Sequence, residues 1–366
     1  MHDHDFDGDG QARQDKDLLD LNEVMQAFGI QEWQNLGATD LERPDSLSLL
    51  VEIQGQRYIL RERPEGLAGE DLYHRYEFQR YLRQSGLPLP EFLLTPDGKP
   101  VAVVGEDYFE LQAWSDGALF DTANPRSLDW VEFAATMLGR IHQASQRYGG
   151  REHRWPSEVQ MGGLVQSCLS LARSKADESE IQAVSVALSN WADQWEAVLP
   201  SAMISIGAGR GLPAFHIHGD YHALNLRFGP SGVTAVMGLE ASRWEKRIFE
   251  LAYALFYFSA LTWQPGHRLT HPLVKRGFDP ERMRRFLHAY GALCPPVRGE
   301  SALLADALLL ISPIATINGP LEDLFYAAEM SEETLIEQVM ERLSWAASLP
   351  AWLARMRRAL PEMWER

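Results

Sequence analysis

Four side chains able to do chemistry fall within eight residues: His218, Asp220, His222 and Asn225. A carboxylate can orient a hydroxyl and take its proton, and a carboxamide oxygen can help to hold a hard cation. The run Phe215-His216-Ile217 leads into them and Gly219 marks a turn, so a short apolar strand running into a loop must present them. About a dozen residues later a second block, Val233 to Leu255, carries further carboxylates, among them Glu240 and Glu250. Gly238 lies at the head of that block and offers no side chain at all.

The elements upstream read as a strand-rich segment. Asp20 to Phe28 predicts a short helix, with Leu21, Val24, Met25 and Phe28 on one side. Strands are expected over Leu47 to Ile53 and Arg57 to Arg63, joined by Gln54-Gly55-Gln56 as a hairpin. Alternation places Ile59, Arg61 and Arg63 on one face of the second strand. A helix over Glu70 to Ser85 ends at Gly86 and Pro88. Its Tyr73, Glu77 and Tyr81 are spaced by four, which predicts a carboxylate on an inward aromatic stripe. Arg61 could pair with Glu77, or both could be solvated charges. Two further strands are expected at Lys99 to Val104 and Tyr108 to Trp114.

Beyond Ser115 the pattern turns helical. Asp129 is expected to cap a helix whose Trp130, Phe133, Met137, Leu138 and Ile141 form a core stripe. One or two helices are expected between Gln160 and Leu199. Pro200 to Leu212 reads as a Gly-rich connector, and later helices fall near 280–291, 301–312 and 332–347. The fold class predicted is α+β: a small antiparallel-sheet unit over 18–114 and a larger, mostly helical one over 115–366, behind an acidic tail at 1–17.

The net charge is −17. Six aspartates against Arg13 and Lys16 leave the tail at −4 and the rest of the chain at −13. With no cluster of five or more basic residues, such a surface repels nucleic-acid phosphate and excludes a nucleic-acid partner. In the tail, Asp3-x-Asp5-x-Asp7-Gly8-Asp9 has the start of a calcium loop, but its twelfth position is Gln14 rather than glutamate; a disordered tail is the expectation. The tail does not fit a secretory signal, and the longest apolar stretch, Leu251 to Trp263, falls short of the ~20 residues a membrane span needs. Two cysteines, Cys168 and Cys294, give no disulfide or metal framework, so no membrane partner and a reducing cytoplasmic setting are expected.

The segment His218-Gly219-Asp220-Tyr221-His222-Ala223-Leu224-Asn225 resembles the H-G-D-x-H-x-x-N loop of aminoglycoside phosphotransferase-like kinases. Val236-Met237-Gly238-Leu239-Glu240-Ala241-Ser242-Arg243-Trp244 and Arg247-Ile248-Phe249-Glu250-Leu251-Ala252-Tyr253-Ala254-Leu255 are similar to the family's metal-binding block. Tyr58-Ile59-Leu60-Arg61, Glu77 and Leu138-Gly139-Arg140-Ile141-His142 match three further family positions, in order, over roughly residues 20–300. The resemblance implies a bilobal protein-kinase-like fold and an ATP-dependent transfer to a hydroxyl of a small polar substrate.

It also implies roles. Asp220 would orient and deprotonate the hydroxyl, with His218 bracing the loop. Arg61, paired with Glu77, would reach the nucleotide phosphates, and backbone near Leu111 and Ala113 would face the adenine. Asn225 would hold Mg2+, and Glu250 would anchor the loop. The chain departs from the family at Gly238, where the metal-binding Asp belongs, and this counts against magnesium. Glu240, two residues on, shares a face with position 238 if the strand continues, and could substitute. A second departure is residues 35–46, which hold only Gly37 where a phosphate-covering loop would be expected. Two readings result: a small-molecule kinase, or a pseudokinase that binds a nucleotide or metabolite without turnover. Trp263, His267, His271, Asp323 and Tyr326 could line a substrate pocket or be ordinary surface and core residues.

Overall fold

In the computed structural model, residues 21–38, 47–63, 69–149, 160–263, 277–317 and 331–365 are described. The acidic tail, most of the 35–46 segment, and His267, His271, Asp323 and Tyr326 lie outside the described residues. The chain divides into two compact units, Met1–Leu72 with Pro90–Trp114, and Tyr73–Leu89 with Ser115–Arg366.

The first unit is an antiparallel sheet with one helix. Its elements are α1 (Leu21–Ala27), β1 (Gln34–Ala38), β2 (Ser48–Ile53), β3 (Gln56–Arg63), β4 (Phe92–Leu93), β5 (Ala102–Val104) and β6 (Asp107–Ala113). The strands run β1-β2-β3-β6-β4, with β5 also paired to β6. Val51 and Ile53 of β2, Leu60 of β3, and Phe109 and Leu111 of β6 form its core with Val24 and Met25 of α1 and Phe28 just after it. Each such side chain contributes about 1.5–3 kcal/mol by leaving water.

Two details differ from expectation. Where a phosphate-covering loop was expected to begin, Gln34–Ala38 is instead an edge strand, bulged between Asn35 and Gly37. Glu110 of β6 lies opposite Arg61 in register and forms a buried ion pair with Arg63.

The second unit starts within helix α2 (Gly69–Gln84). The expected inward stripe is displaced by one residue. Phe78 and Leu82 are fully buried, whereas Tyr73 and Glu77 are exposed and Tyr81 is half-buried. The all-hydrocarbon side chains take the core, and Tyr81 keeps its hydroxyl bonded to the carbonyl of Ala144 at 3.1 Å.

Next comes α3 (Ser127–Ser145), which starts two residues before the expected cap. Asp129 lies inside its first turn, beside Arg126 at 3.1 Å, where a carboxylate favours the positive end of the helix dipole. Helices α4 (Met161–Glu178) and α5 (Gln182–Ala208) follow. The connector expected over Pro200 to Leu212 is largely helix, because α5 continues through Pro200 to Ala208. A proline inside a helix costs about 3 kcal/mol. Burial of Leu199, Ala202 and Ile206 around it offsets that penalty.

Strand β7 (Ala214–Ile217) pairs antiparallel with β10 (Arg243–Lys246), and β8 (Leu226–Gly229) pairs with β9 (Gly232–Val236). Between β7 and β8 lies the His218–Asn225 loop, and between β9 and β10 lies the turn with Gly238. Helix α6 (Arg247–Ala260) runs beneath them and is buried at every position except Tyr253. Helices α7 (Pro280–Leu293), α8 (Leu304–Ile317), α9 (Glu332–Met356) and α10 (Ala359–Glu365) complete the unit. Among the described residues no helix is long and apolar enough to cross a membrane.

Candidate active site

The loop after β7 is positioned from below by Glu250 on α6. One carboxylate oxygen accepts the backbone N–H of Gly219 at 2.5 Å, and the other accepts that of His218 at 3.1 Å. The second oxygen also takes Nε2 of His142, on α3, at 2.7 Å, and Nδ1 of His142 meets the Tyr290 hydroxyl at 2.7 Å. All five groups are buried or part-buried. Burial alone would raise the Glu250 carboxyl, but the hydrogen bond and charge of His142 outweigh it and hold Glu250 below its usual range. The loop therefore rests on an ionised carboxylate satisfied from three directions.

Gly219 admits no other residue in this arrangement. Its φ is +89°, and a Cβ there would stand 2.0 Å from the Ala241 carbonyl oxygen. His218 is wholly buried. Its Nδ1 accepts the Asp220 N–H at 3.2 Å, so the proton sits on Nε2 and is donated to the Met237 carbonyl at 2.7 Å. Burial pushes its pKa down, against the pull of Glu250, which keeps the ring neutral. His218 thus ties the loop to the turn before Gly238.

Asp220 keeps a side chain that is 38% exposed. Its Oδ2 accepts Nδ2 of Asn225 at 3.0 Å and Nε2 of His222 at 3.2 Å; its Oδ1 accepts the Tyr253 hydroxyl at 2.6 Å. Nδ1 of His222 accepts the N–H of Leu224, which leaves Nε2 to carry the proton toward Asp220. Burial alone would raise the carboxyl; the proton that His222 turns toward it and the Tyr253 hydroxyl outweigh burial. Asp220 is therefore held well below the usual carboxylate range.

The turn at Gly238 differs from the expected strand continuation. Strand β9 ends at Val236, Gly238 is left-handed at φ +79° and ψ +31°, and Leu239–Ala241 form a single 3-10 turn. Glu240 therefore rides on a turn and does not share a strand face with position 238. A Cβ added at Gly238 would lie 2.4 Å from Asn225 Nδ2 and 2.8 Å from its Oδ1. The Asn225 carboxamide occupies the space a residue-238 side chain would take. Because Nδ2 reaches two acceptors, the Asp220 backbone carbonyl at 2.8 Å and its carboxylate, the amide's orientation is fixed. Only Oδ1 is left to face a cation, and one neutral oxygen with no carboxylate at 238 does not fit a magnesium ion. Among the described residues no group of three or more His, Cys, Asp or Glu side chains could hold a metal.

Loop residues His218, Asp220 and Asn225 come together with His222. Of the other predicted site residues, Arg61, Leu111 and Ala113 belong to the first unit and Glu77 to the second. The Glu77 carboxylate is 58% exposed, with Arg80 at 3.5 Å. Leu111 is fully buried. The Ala113 N–H is given to the Glu91 carbonyl at 2.7 Å and the Trp114 N–H to the Arg57 carbonyl at 2.8 Å, so these two donors are committed within the sheet. Trp263 is buried, with its indole N–H on the Tyr257 carbonyl, a core placement.

Sequence reasoning missed the roles of His142 and Tyr253. For Tyr253 a signal existed, since it lies three residues past Glu250 and hence on the same helix face. His142 is 108 residues from its partner, and no spacing rule reaches that far.

A profile described as the phosphotransferase enzyme family matches residues 45–304. No curated protein matches the sequence. Among solved structures, an aminoglycoside phosphotransferase from Alicyclobacillus acidocaldarius superposes with a TM-score of 0.61 at 15% identity, covering 94% of this chain and 97% of that one. A microcompartment-associated aminopropanol kinase gives 0.58 at 15% identity over 94% and 98% of the two chains. A spectinomycin phosphotransferase, in complex with ADP and spectinomycin, gives 0.53 at 13% identity over 88% and 97%. At these identities the likeness establishes the kinase-like fold.

Proposed function

The chain belongs to the phosphotransferase enzyme family, and from that premise we propose that it transfers the γ-phosphoryl group of ATP to a hydroxyl of a small polar molecule. The observation that carries this reading is Asp220: an ionised, partly exposed carboxylate on a loop fixed from behind by Glu250 and His218. Such a group accepts a hydrogen bond from the substrate hydroxyl and aims its oxygen at phosphorus. The new O–P bond forms as the bond to the bridging oxygen of ADP breaks, and the hydroxyl proton passes to Asp220. In a loose transition state that proton leaves late, so a carboxylate held well below its usual range still serves through orientation. Arg61 is assigned to the nucleotide phosphates, and backbone near Leu111 and Ala113 to the adenine. The donors at Asn225 and Gly238 do not fit a metal ion.

The test is ADP formation from ATP with a panel of hydroxylated acceptors that includes amino alcohols and aminoglycosides. Asp220→Ala is expected to lower turnover by about 10²–10⁴-fold. ADP formation indifferent to that change overturns the assignment. A second reading, a non-catalytic nucleotide- or metabolite-binding module, draws support from Gly238 and the Asn225 amide lying over it. It predicts that ATP raises the melting temperature equally in magnesium and in chelator, with no acceptor-dependent ADP release.

A further inference from the structure

Helix α6 buries every side chain but one, and that one, Tyr253, is directed at Asp220. The two oxygens of the Asp220 carboxylate are served differently. Oδ2 has two donors from its own loop, His222 at 3.2 Å and Asn225 at 3.0 Å. These donors come from residues two and five positions along the chain and move with the loop. Oδ1 has the Tyr253 hydroxyl, at 2.6 Å, from a helix 33 residues away. A carboxylate held at one oxygen still swings about its Cβ–Cγ bond; a donor at the other oxygen fixes its plane.

Tyr253 is itself well fixed. Its ring lies 4.5 Å from that of Tyr257, one helical turn on. The start of α6 is tied by the buried Arg247–Glu300 pair at 2.8 Å, and its end by the Arg282 guanidinium on the carbonyls of Phe258 and Leu261 at 3.2 and 2.8 Å. Helix α6 also carries Glu250, so one rigid element sets both the height of the loop and the plane of its carboxylate.

We propose that Tyr253 is a positioning residue for phosphoryl transfer: its hydroxyl fixes the plane of the Asp220 carboxylate so that a free lone pair meets the incoming substrate hydroxyl. The proposal rests on the reading of Asp220 given above for its functional half only, since the hydrogen bond exists whatever the chain does.

The experiment is a double-mutant cycle of Tyr253→Phe with Asp220→Ala, which removes the acceptor, read twice. Tyr253→Phe keeps the ring and deletes the hydroxyl. In turnover it is expected to lower kcat roughly 10- to 100-fold with KM for ATP within about twofold. In the Asp220→Ala background it is expected to add no further loss to the residual rate. In melting temperature, the two changes are expected to be non-additive. Unchanged or raised kcat in Tyr253→Phe overturns the proposal, as does an equal loss in both backgrounds, which would place Tyr253 on the substrate or in the fold. Additive melting shifts overturn the hydrogen bond itself. A wild-type chain with no turnover removes the functional reading, and the melting cycle then decides alone whether Tyr253 holds Asp220.

Discussion

The two segments that flank Asp220 are built on opposite principles. Behind it, Glu250 is a buried carboxylate with donors from Gly219, His218 and His142, and its partner His142 is in turn met by Tyr290. Beside it, the turn at Met237–Ser242 has no side chain at 238, and the Asn225 amide occupies the space one would take. A saturated buried network tolerates little change, because any member removed strands its neighbours. A glycine turn lined by one short amide can be refilled. The side of the loop backed by Glu250 is tied down from several directions, and the side at Gly238 is not.

Breaking the rigid half should have the largest effect. Glu250→Ala leaves the His218 and Gly219 amides and the His142 ring without their acceptor, and removing one partner of a buried pair costs about 3–5 kcal/mol. For a unit of this size that is a fall of roughly 10 °C in melting temperature. A shift of a degree or two would mean the network is not as saturated as its distances indicate. The same residue sets a pH signature. Its folded pKa is depressed, so its stabilisation is present above the unfolded value of about 4.3 and is lost as pH falls through the folded one. The gap in melting temperature between wild type and Glu250→Gln should therefore narrow as pH drops from about 6 toward 3; a constant gap contradicts an ionised Glu250.

Gly219→Ala comes next. The clash is with a backbone oxygen, which no rotamer change relieves, and left-handed backbone adds strain, together about 2–4 kcal/mol. Turnover should fall with stability, since the residue lies next to Asp220. A Gly219→Ala protein that melts like wild type would show that Ala241 yields easily.

Refilling position 238 sharpens the contrast. Gly238→Asp must turn Asn225 away from Asp220, losing two hydrogen bonds at about 1 kcal/mol each, and must hold left-handed backbone at about 1 kcal/mol more. Gly238→Ala should lose the same. With ATP and Mn2+, only the Asp variant is expected to recover in a thermal-shift assay, because it alone adds a hard-oxygen ligand. Equal Mn2+ dependence in wild type would show that the turn already holds a cation.

Much of this was legible in the chain. The spacing from His218 to Asn225 confines four groups to one loop, so their meeting is nearly local, and the alternation of β2 and β3 announced the sheet core. Elsewhere the local signals were overruled or silent. Pro200 and the glycines after it signalled a connector, yet burial of Leu199 and Ile206 kept the helix. On α2, two candidate stripes one residue apart competed, and hydrocarbon packing chose Phe78 and Leu82 over Tyr73 and Glu77.

The amino-acid order alone determined which groups share a loop, that position 238 can offer no ligand, and that the chain is a phosphotransferase relative, because these depend on identity and short-range spacing. The tertiary structure decided what fills the space beside Gly238, and that His142 and Tyr253 reach Glu250 and Asp220 across 108 and 33 residues. The reason is physical: backbone geometry sets spacing over a few residues, whereas contacts at long separation are set by how whole helices and strands pack.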